Sequence, residues 1–483
     1  MKKTLHFLAI LTFLVFSTQQ AYCQTRFQPT WESLKTYKTP DWFRDAKFGI
    51  FIHWGVYSVP GFANEWYPRN MYREGTEENK HHVATYGPIA QFGYKDFIPD
   101  FKAEKFDPAA WVSLFKKAGA RYVVPVAEHH DGFAMYKTAL SKWNAVEMGP
   151  HRDVVGELAS ETKKQGLVFG LSSHRIEHWW FMNGGKKFGS DFLDQKNIDF
   201  YGPAREENET LSAEYMNDWL LRCTELVNNY QPQLFWFDWW IEQPAMDPYR
   251  KSFAAYYYNK GLEWNKGVVI NYKHSVSYPD GVAVLDLERG KLGSIREMAW
   301  QTDDAIGNNS WGYAKGNTFK TVQYVVTNLI DIVSKNGNLL LNIGPKPDGS
   351  ITEEETNVLL GTGKWLDING EAIYGTRPWK IFGEGPTKSA SGSFADQKEA
   401  FNAKDIRFTT KGNILYVITL GKPMDNSIIK SLSLKSGNGN IASIELIGSS
   451  EKISWLQKED ELIIKPSTSY PSENAVAYRV RFK

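Results

Sequence analysis

The 483-residue chain carries 56 basic against 55 acidic side chains, a net charge near zero that excludes the electrostatic footprint of a nucleic-acid binder or of a protein held on an anionic membrane. Its length is enough for one large domain and a smaller one, and the partner it favours is neutral. Aromatics supply 14% of residues, with 18 Trp, a content suited to sites that take flat, partly apolar faces such as sugar rings.

Residues 1–23 have the three parts of a secretory signal peptide: Lys2-Lys3, an apolar stretch from Phe7 to Phe16, and a polar run ending Ala21-Tyr22-Cys23. Cleavage after Cys23 leaves Gln24 first. Acylation of Cys23 as a lipoprotein is the less favoured alternative, because Gln20 and Tyr22 fit that signal poorly. Cys223 then remains as the sole cysteine, so no intrachain disulfide forms. Its helical neighbours Trp219, Leu226 and Tyr230 make it a core thiol. No other stretch is apolar enough to span a membrane. The expected location is exported, periplasmic or extracellular.

Strands are predicted at Phe48–His53, Tyr122–Ala127, Leu167–Ser172, Leu234–Trp239, Val268–Asn271, Ala283–Leu287 and Asn338–Ile343, nearly continuous apolar runs of the kind buried on both faces of a parallel sheet. Helices fall between them. Asp107-Pro108 starts one that carries Trp111, Leu114, Phe115 and Ala118, and Val322, Val326, Leu329 and Val333 mark another before Gly337. Seven clear strands and an obscure eighth predict an α/β protein whose residues 24–379 form a (β/α)8 TIM-like barrel. A doubly wound open sheet is the alternative, with no glycine-rich dinucleotide turn behind it. Residues 380–483 lose the helical period and read as a C-terminal antiparallel β-sandwich, with strand-like stretches such as Ile414–Thr419 and Glu461–Lys465. The longest irregular stretch, Glu177 to Glu207, carries Trp179, Trp180 and Phe181 and is expected to be a functional loop.

Barrel enzymes carry their chemistry at the C-terminal ends of the strands, and the polar residues of this chain gather there. His53 closes the first strand, Glu128-His129-His130-Asp131 the second, Asp238 the fourth and Glu288 the sixth. His129-His130 is expected not to be a metal site, because adjacent strand residues point apart and no third ligand has supporting spacing. Neutral imidazoles suit sugar hydroxyls better. Glu65-Trp66 pairs a carboxylate with an aromatic face, a clamp for hydroxyls. Asp238 is the sharpest candidate: a carboxylate among Trp236, Trp239 and Trp240 is costly to bury and suited to an oxocarbenium-like centre. Glycoside hydrolysis needs a second carboxyl group. Glu288 is the choice, oriented by Arg289, with Asp286, Asp303 and Asp304 as alternatives.

Several motifs together resemble glycoside hydrolase family 29, the α-L-fucosidases. They are His53-Trp54-Gly55-Val56-Tyr57-Ser58, Glu65-Trp66-Tyr67, Glu128-His129-His130-Asp131-Gly132-Phe133, Trp236-Phe237-Asp238, Ser310-Trp311-Gly312-Tyr313, Asn338 through Pro345 and Asn369 through Trp379. The match runs over roughly residues 27 to 379. The resemblance implies an exo-acting, retaining enzyme without a cofactor, acting on fucosylated glycans or glycoconjugates. It implies Asp238 as nucleophile, Glu288 as acid/base, and His53, Glu65, His129 and His130 as ligands of the sugar hydroxyls. It also implies Trp236 and Trp311 as aromatic walls. The two carboxyls of such a pair lie roughly 5 to 5.5 Å apart. The chain departs from the family pattern at Ser172-Ser173-His174, where a Tyr is common, at Lys273 in place of an Arg, and at Gln301 in place of a Glu. His174 and Lys273 are expected to supply the lost contacts. An exo-glycosidase shifted toward galactosides and a non-catalytic glycan-binding relative are the competing readings. The chain is also compatible with a homo-oligomer.

Overall fold

The computed structural model describes residues 26–389, 391–395 and 399–483, so the signal peptide expected at residues 1–23 lies outside the described residues. Eight parallel strands close into a barrel in chain order: β1 (Phe48–Ile52), β2 (Tyr122–Glu128), β3 (Val168–Ser173), β4 (Leu234–Phe237), β5 (Val269–Tyr272), β6 (Val284–Glu288), β7 (Trp300–Ala305) and β8 (Gly337–Ile343). All seven strands read from the sequence are present.

The obscure eighth is β7, whose sequence Trp-Gln-Thr-Asp-Asp-Ala carries four polar residues in a row, all buried. It evades an apolar-run search because its side chains take polar partners on both faces of the strand instead of packing as hydrocarbon. Tyr122 donates its hydroxyl to Gln301 Oε1 at 2.8 Å, and Gln301 in turn donates to Asp286 Oδ2 at 2.5 Å. Such bonds are what a buried polar strand requires.

Alternation along the other strands sorts their side chains into two layers. Phe51, Tyr122, Val124, Trp236 and Leu340 pack together as the barrel filling. Ile50, Ile52, Val123, Phe235, Leu339 and Leu341 face the surrounding helices. Gly49 makes room for this filling: a Cβ there would stand 2.3 Å from the Tyr122 ring.

Six long helices follow strands: α1 (Pro108–Lys117), α2 (Val154–Lys164), α3 (Ala213–Tyr230), α4 (Asp247–Glu263), α5 (Val322–Ser334) and α6 (Glu353–Asn369). Asp107 caps α1 by accepting from the backbone N–H groups of Ala109 and Ala110 at 2.9 and 3.0 Å, with Pro108 in the first turn. Residues 273–283 and 289–299 join β5 to β6 and β6 to β7 without a helix, so two of the eight expected helices are missing. Cys223 on α3 is fully buried, and burial pushes its thiol well up, as expected of a core group.

The stretch from Glu177 to Glu207, expected to be an irregular loop, is instead a chain of single helical turns, among them Arg175–Glu177, His178–Phe181, Asn183–Lys186 and Ile198–Tyr201. Buried Trp179, Trp180 and Phe181 anchor it to the core. Asp191 accepts from the hydroxyls of Tyr72 and Tyr201 at 2.7 and 2.6 Å and staples it further.

Beyond α6 the chain forms two antiparallel sheets. Strands β9 (Arg377–Glu384), β10 (Ile406–Lys411), β11 (Ile414–Thr419), β13 (Ile441–Leu446) and β16 (Val476–Phe482) make one in the order β13-β16-β11-β10-β9; β12 (Ser427–Ile429), β14 (Trp455–Gln457) and β15 (Leu462–Ile464) make the other. Phe408, Leu415 and Val417 from the first share a core with Ile429, Leu462 and Ile464 from the second. β9 starts at Arg377, so the first C-terminal strand straddles the expected boundary at 379 and 380. Among the described residues no helix is long and apolar enough to cross a membrane.

Candidate active site

One cavity of about 240 Å³ opens where the C-terminal ends of the barrel strands meet. His53 follows β1, His129 and His130 follow β2, His174 and Glu177 follow β3, and Asp238 follows β4; Glu288 ends β6 and Asp303 lies in β7. All of these line it, together with Glu65, Trp66, Trp236, Trp239, Trp311 and Phe394. A larger groove of about 660 Å³, against Tyr37, Tyr258 and Val268 at the other end of the barrel, holds no carboxylate or imidazole. Chemistry, not size, picks out the site.

Asp238 is buried and shares one oxygen, Oδ2, between two imidazoles: His174 Nδ1 at 2.7 Å and His130 Nε2 at 3.4 Å. Among the described residues no side chain bonds Oδ1. Burial alone would raise this carboxyl, but His174 and His130 outweigh it and hold Asp238 well below the usual carboxylate range. It is therefore ionised.

The two imidazoles are in different states, and their partners say why. His174 must donate Nδ1–H to the carboxylate, while Nε2 faces Ser172 Oγ at 3.0 Å and accepts from it. Burial lowers its pKa, and it stays neutral. His130 donates Nδ1–H to the backbone carbonyl of His174 at 3.1 Å, and its Nε2 faces Asp238, so both nitrogens are donors. Burial opposes charge on this ring, but Glu177 and Asp238 overcome it, and its pKa is pushed up to about 9. Glu177 Oε2 lies 3.5 Å from His130 Nδ1. Burial pushes the Glu177 carboxyl up to about 8 against the opposing pull of His130.

His53 gives Nδ1–H to Asn342 Oδ1 at 2.7 Å, which fixes the tautomer and leaves Nε2 as an acceptor. Asn342 is held in turn through its amide on the Trp311 carbonyl at 2.6 Å. Burial, then the neighbouring imidazoles, keep both His53 and His129 well below the ordinary histidine range. Glu65 accepts at Oε2 from Ser310 Oγ at 2.9 Å and from the Trp311 N–H at 2.8 Å, so it positions the Trp311 wall as well as lining the cavity. Trp66 packs on His130 and Phe181, with ring centroids 5.7 and 5.4 Å away.

The expectation that His129 and His130 point apart is not met. β2 ends at Glu128 and the chain turns at once, with the Gly132 N–H on the His129 carbonyl at 3.1 Å, so both rings reach the cavity with centroids 4.3 Å apart. A third potential ligand also exists: His53, His129 and His174 bring ligating atoms within 4.8 Å of one another, as do His130, His174 and Asp238. Both nitrogens of His174 and Nδ1 of His53 are already engaged, which makes the cluster a set of oriented donors and acceptors for hydroxyls. The flanking acids of the same motif serve as supports. Glu128 pairs with Arg175 and Arg222 at 3.0 and 3.2 Å, and Asp131 accepts from Tyr94 at 2.6 Å.

Across the cavity lies a cluster of acids. Glu288 Oε2 accepts from Trp239 Nε1 at 2.6 Å. Lys273 Nζ stands 2.5 Å from Asp303, 3.5 Å from Glu288 and 3.6 Å from Asp286. Lys273 is therefore not a wall of the cavity, as expected from the sequence: it is buried behind it as the counter-ion of three carboxylates, which hold its ammonium charged against burial. Arg289 does not reach Glu288. Its guanidinium lies over the Trp311 ring, 4.8 Å from the centroid, and donates to the Asn308 carbonyl at 2.9 Å. Trp239 does the orienting instead.

Among the alternative acids, Asp286 is fully buried and accepts from Trp236, Gln301 and the Asp303 backbone. Asp304 pairs with Lys320 and Tyr324 away from the cavity. Asp303 lines the cavity, but burial and then Asp286 push its carboxyl well up, and Lys273 occupies it. Glu288 is the carboxyl left facing the opening. Glu177 enters the sequence reading only as the first residue of the stretch expected to be functional, and Phe394 does not enter it. Glu177 lies four residues past the end of β3, in a helical turn that the strand-end rule does not reach; Phe394, from the linker between β9 and β10, carried no signal.

A barrel with one ionised acid cradled by histidines, a second acid opposite and tryptophan walls is the layout of a glycoside hydrolase. Two family models match the chain: "Alpha-L-fucosidase" over residues 14–371 and "Alpha-L-fucosidase C-terminal domain" over residues 397–483. The tissue alpha-L-fucosidases of Homo sapiens and Mus musculus are each 33% identical to it, the alignments covering 97% and 94% of this chain and 95% and 94% of theirs. The crystal structure of Thermotoga maritima alpha-fucosidase in complex with fucose superimposes with a TM-score of 0.75 at 32% identity, covering 94% of this chain and all of that one. The chain belongs to the α-L-fucosidase family of glycoside hydrolases.

Proposed function

We propose that the protein is an exo-acting, retaining α-L-fucosidase that releases terminal α-L-fucose from glycans by double displacement. Asp238 attacks the anomeric carbon through its outward oxygen, and Glu288 gives its proton to the departing glycosidic oxygen. The glycosyl-enzyme is then opened by water, from which Glu288 takes the proton back. His53 offers a fixed acceptor at Nε2, so a ring hydroxyl meets a partner of defined sense, while the charged His130 spends its two N–H groups on the His174 carbonyl and Asp238. The cavity is smaller than the ~300–1,000 Å³ typical of drug-sized ligands, which suits a single terminal sugar.

The observation that carries this reading is that Asp238 and Glu288 line one small cavity from β4 and β6, the first held ionised and the second facing the opening. The leader at residues 1–23 supports export to the periplasm or the medium. The test is the stereochemistry of turnover of an aryl α-L-fucoside followed by proton NMR: the α-anomer of fucose should appear first and mutarotate later. A β-anomer formed first, or normal turnover by Asp238→Ala, would overturn it.

A further inference from the structure

In the linker from β9 to β10, the described residues 389 and 391–395 do not stay with the C-terminal sheets. They cross to the barrel where no helix separates β6 from β7 and pair with the segment that follows Glu288. The N–H of Gly392 donates to the Lys291 carbonyl at 2.8 Å, the N–H of Lys291 donates back at 3.2 Å, and the N–H of Phe394 donates to the Glu288 carbonyl at 2.7 Å. Gly290 permits this approach: a Cβ there would lie 2.2 Å from the Gly392 carbonyl oxygen. Upstream, Ser389 Oγ donates to Asp331 on α5 at 3.1 Å, and that buried carboxylate also takes Arg407 from β10 at 2.6 Å. The linker is thus tied to the barrel at both the helix and the strand end.

What this anchoring holds in place is a phenyl ring. Phe394 is 61% exposed, sits at φ 54°, and lines the same cavity as both catalytic carboxyls. A left-handed backbone at a non-glycine residue persists where the surroundings over-determine it. Its ring lies nearly parallel to Trp239, with centroids 6.2 Å apart and planes at 15°. Trp239 is the residue that donates to Glu288. The aromatic pair therefore flanks the group that protonates the leaving oxygen, where the departing half of the substrate must lie. Exposed aromatic faces at a cavity rim mark a binding surface for a partly apolar ring.

We propose that Phe394 and Trp239 form a leaving-group subsite that stacks on the apolar face of the sugar next to fucose, so that the C-terminal part of the chain sets acceptor preference. This inference rests on the fucosidase reading and on Glu288 as its acid. The test compares wild type, Phe394→Ala and Phe394→Tyr on two substrates: α-L-fucosyl fluoride, whose leaving group is too small to reach the pair, and a neutral fucosylated disaccharide. In Phe394→Ala the ratio of kcat/KM on the disaccharide to kcat/KM on the fluoride should fall about three- to tenfold, the worth of one aromatic contact, and Phe394→Tyr should restore it. An unchanged ratio, or an equal loss on both substrates, overturns the subsite. Wild-type protein that releases no fluoride overturns the fucosidase reading and the subsite with it.

Discussion

The two sides of the barrel mouth bury charge in opposite ways. On the side built by β1 to β4, four imidazoles surround Asp238, three of them neutral, and hydrogen-bond direction does most of the work. On the side built by β5 to β7, Lys273 stands among Asp286, Glu288 and Asp303, and net charge does it. The first arrangement leaves polar atoms oriented toward the cavity, ready for hydroxyls. The second leaves one carboxyl, Glu288, at the opening and locks the rest behind it. The barrel thus sets Asp238 among imidazoles on one side and Glu288 beside an ammonium and the Trp239 indole on the other.

Substitutions break this comparison with graded severity. Asp238→Ala should lower kcat by on the order of 10⁴-fold or more, because the proposed nucleophile acts as a unit with its partners. Glu288→Gln should cost about 10²- to 10⁴-fold on an oligosaccharide and much less on an aryl fucoside with a good leaving group. Equal losses on the two substrates would place the acid role elsewhere. Lys273→Met strips the counter-ion from buried Asp286 and Asp303 and from half-buried Glu288 and should destabilise by roughly 3–5 kcal/mol in calorimetry, whereas Lys273→Arg should be far milder.

The histidine side carries a pH signature. His130 in the folded protein has its pKa raised to about 9, above the ~6.5 of an unfolded chain. Between those values the folded state binds more protons, so the stability His130 contributes is full below ~6.5 and drains away as pH rises through the folded value. Melting temperature should fall over that window. Glu177, its own carboxyl raised to about 8, adds to the same fall; Glu177→Gln removes both that group and its support of the His130 charge and should flatten the fall, and an unaltered profile would exclude both contributions. The smallest expected effect is that of Arg289→Ala, which loses the cation over Trp311 and should raise KM about two- to fivefold with kcat nearly kept.

Much of this site was legible in the chain because two local signals coincide: an apolar run of strand length, and a polar residue at its C-terminal end. That rule reaches His53, His129, His130, Asp238 and Glu288, but not Glu177, which lies in the helical turn beyond β3. It fails for β7, whose buried Gln301, Thr302, Asp303 and Asp304 look like a loop until the barrel supplies their partners. It misassigns Arg289, which is adjacent to Glu288 in sequence but turns at φ 43° toward Trp311. It also misplaces Lys273, because a strand pattern does not reveal whether an ammonium faces the cavity or the acids behind it.

Periodicity and strand-end chemistry, both carried by neighbouring residues, by themselves determined the barrel, the β-rich C-terminal part and the identity of the acid in the Trp-rich fourth strand. Only the closed tertiary structure decided which acid faces the opening, which imidazole is charged, and that a phenylalanine from the linker to β10 reaches the mouth. Those depend on register, burial and the meeting of segments far apart in the chain, and the Coulomb and hydrogen-bond terms that set them exist only after the strands have closed.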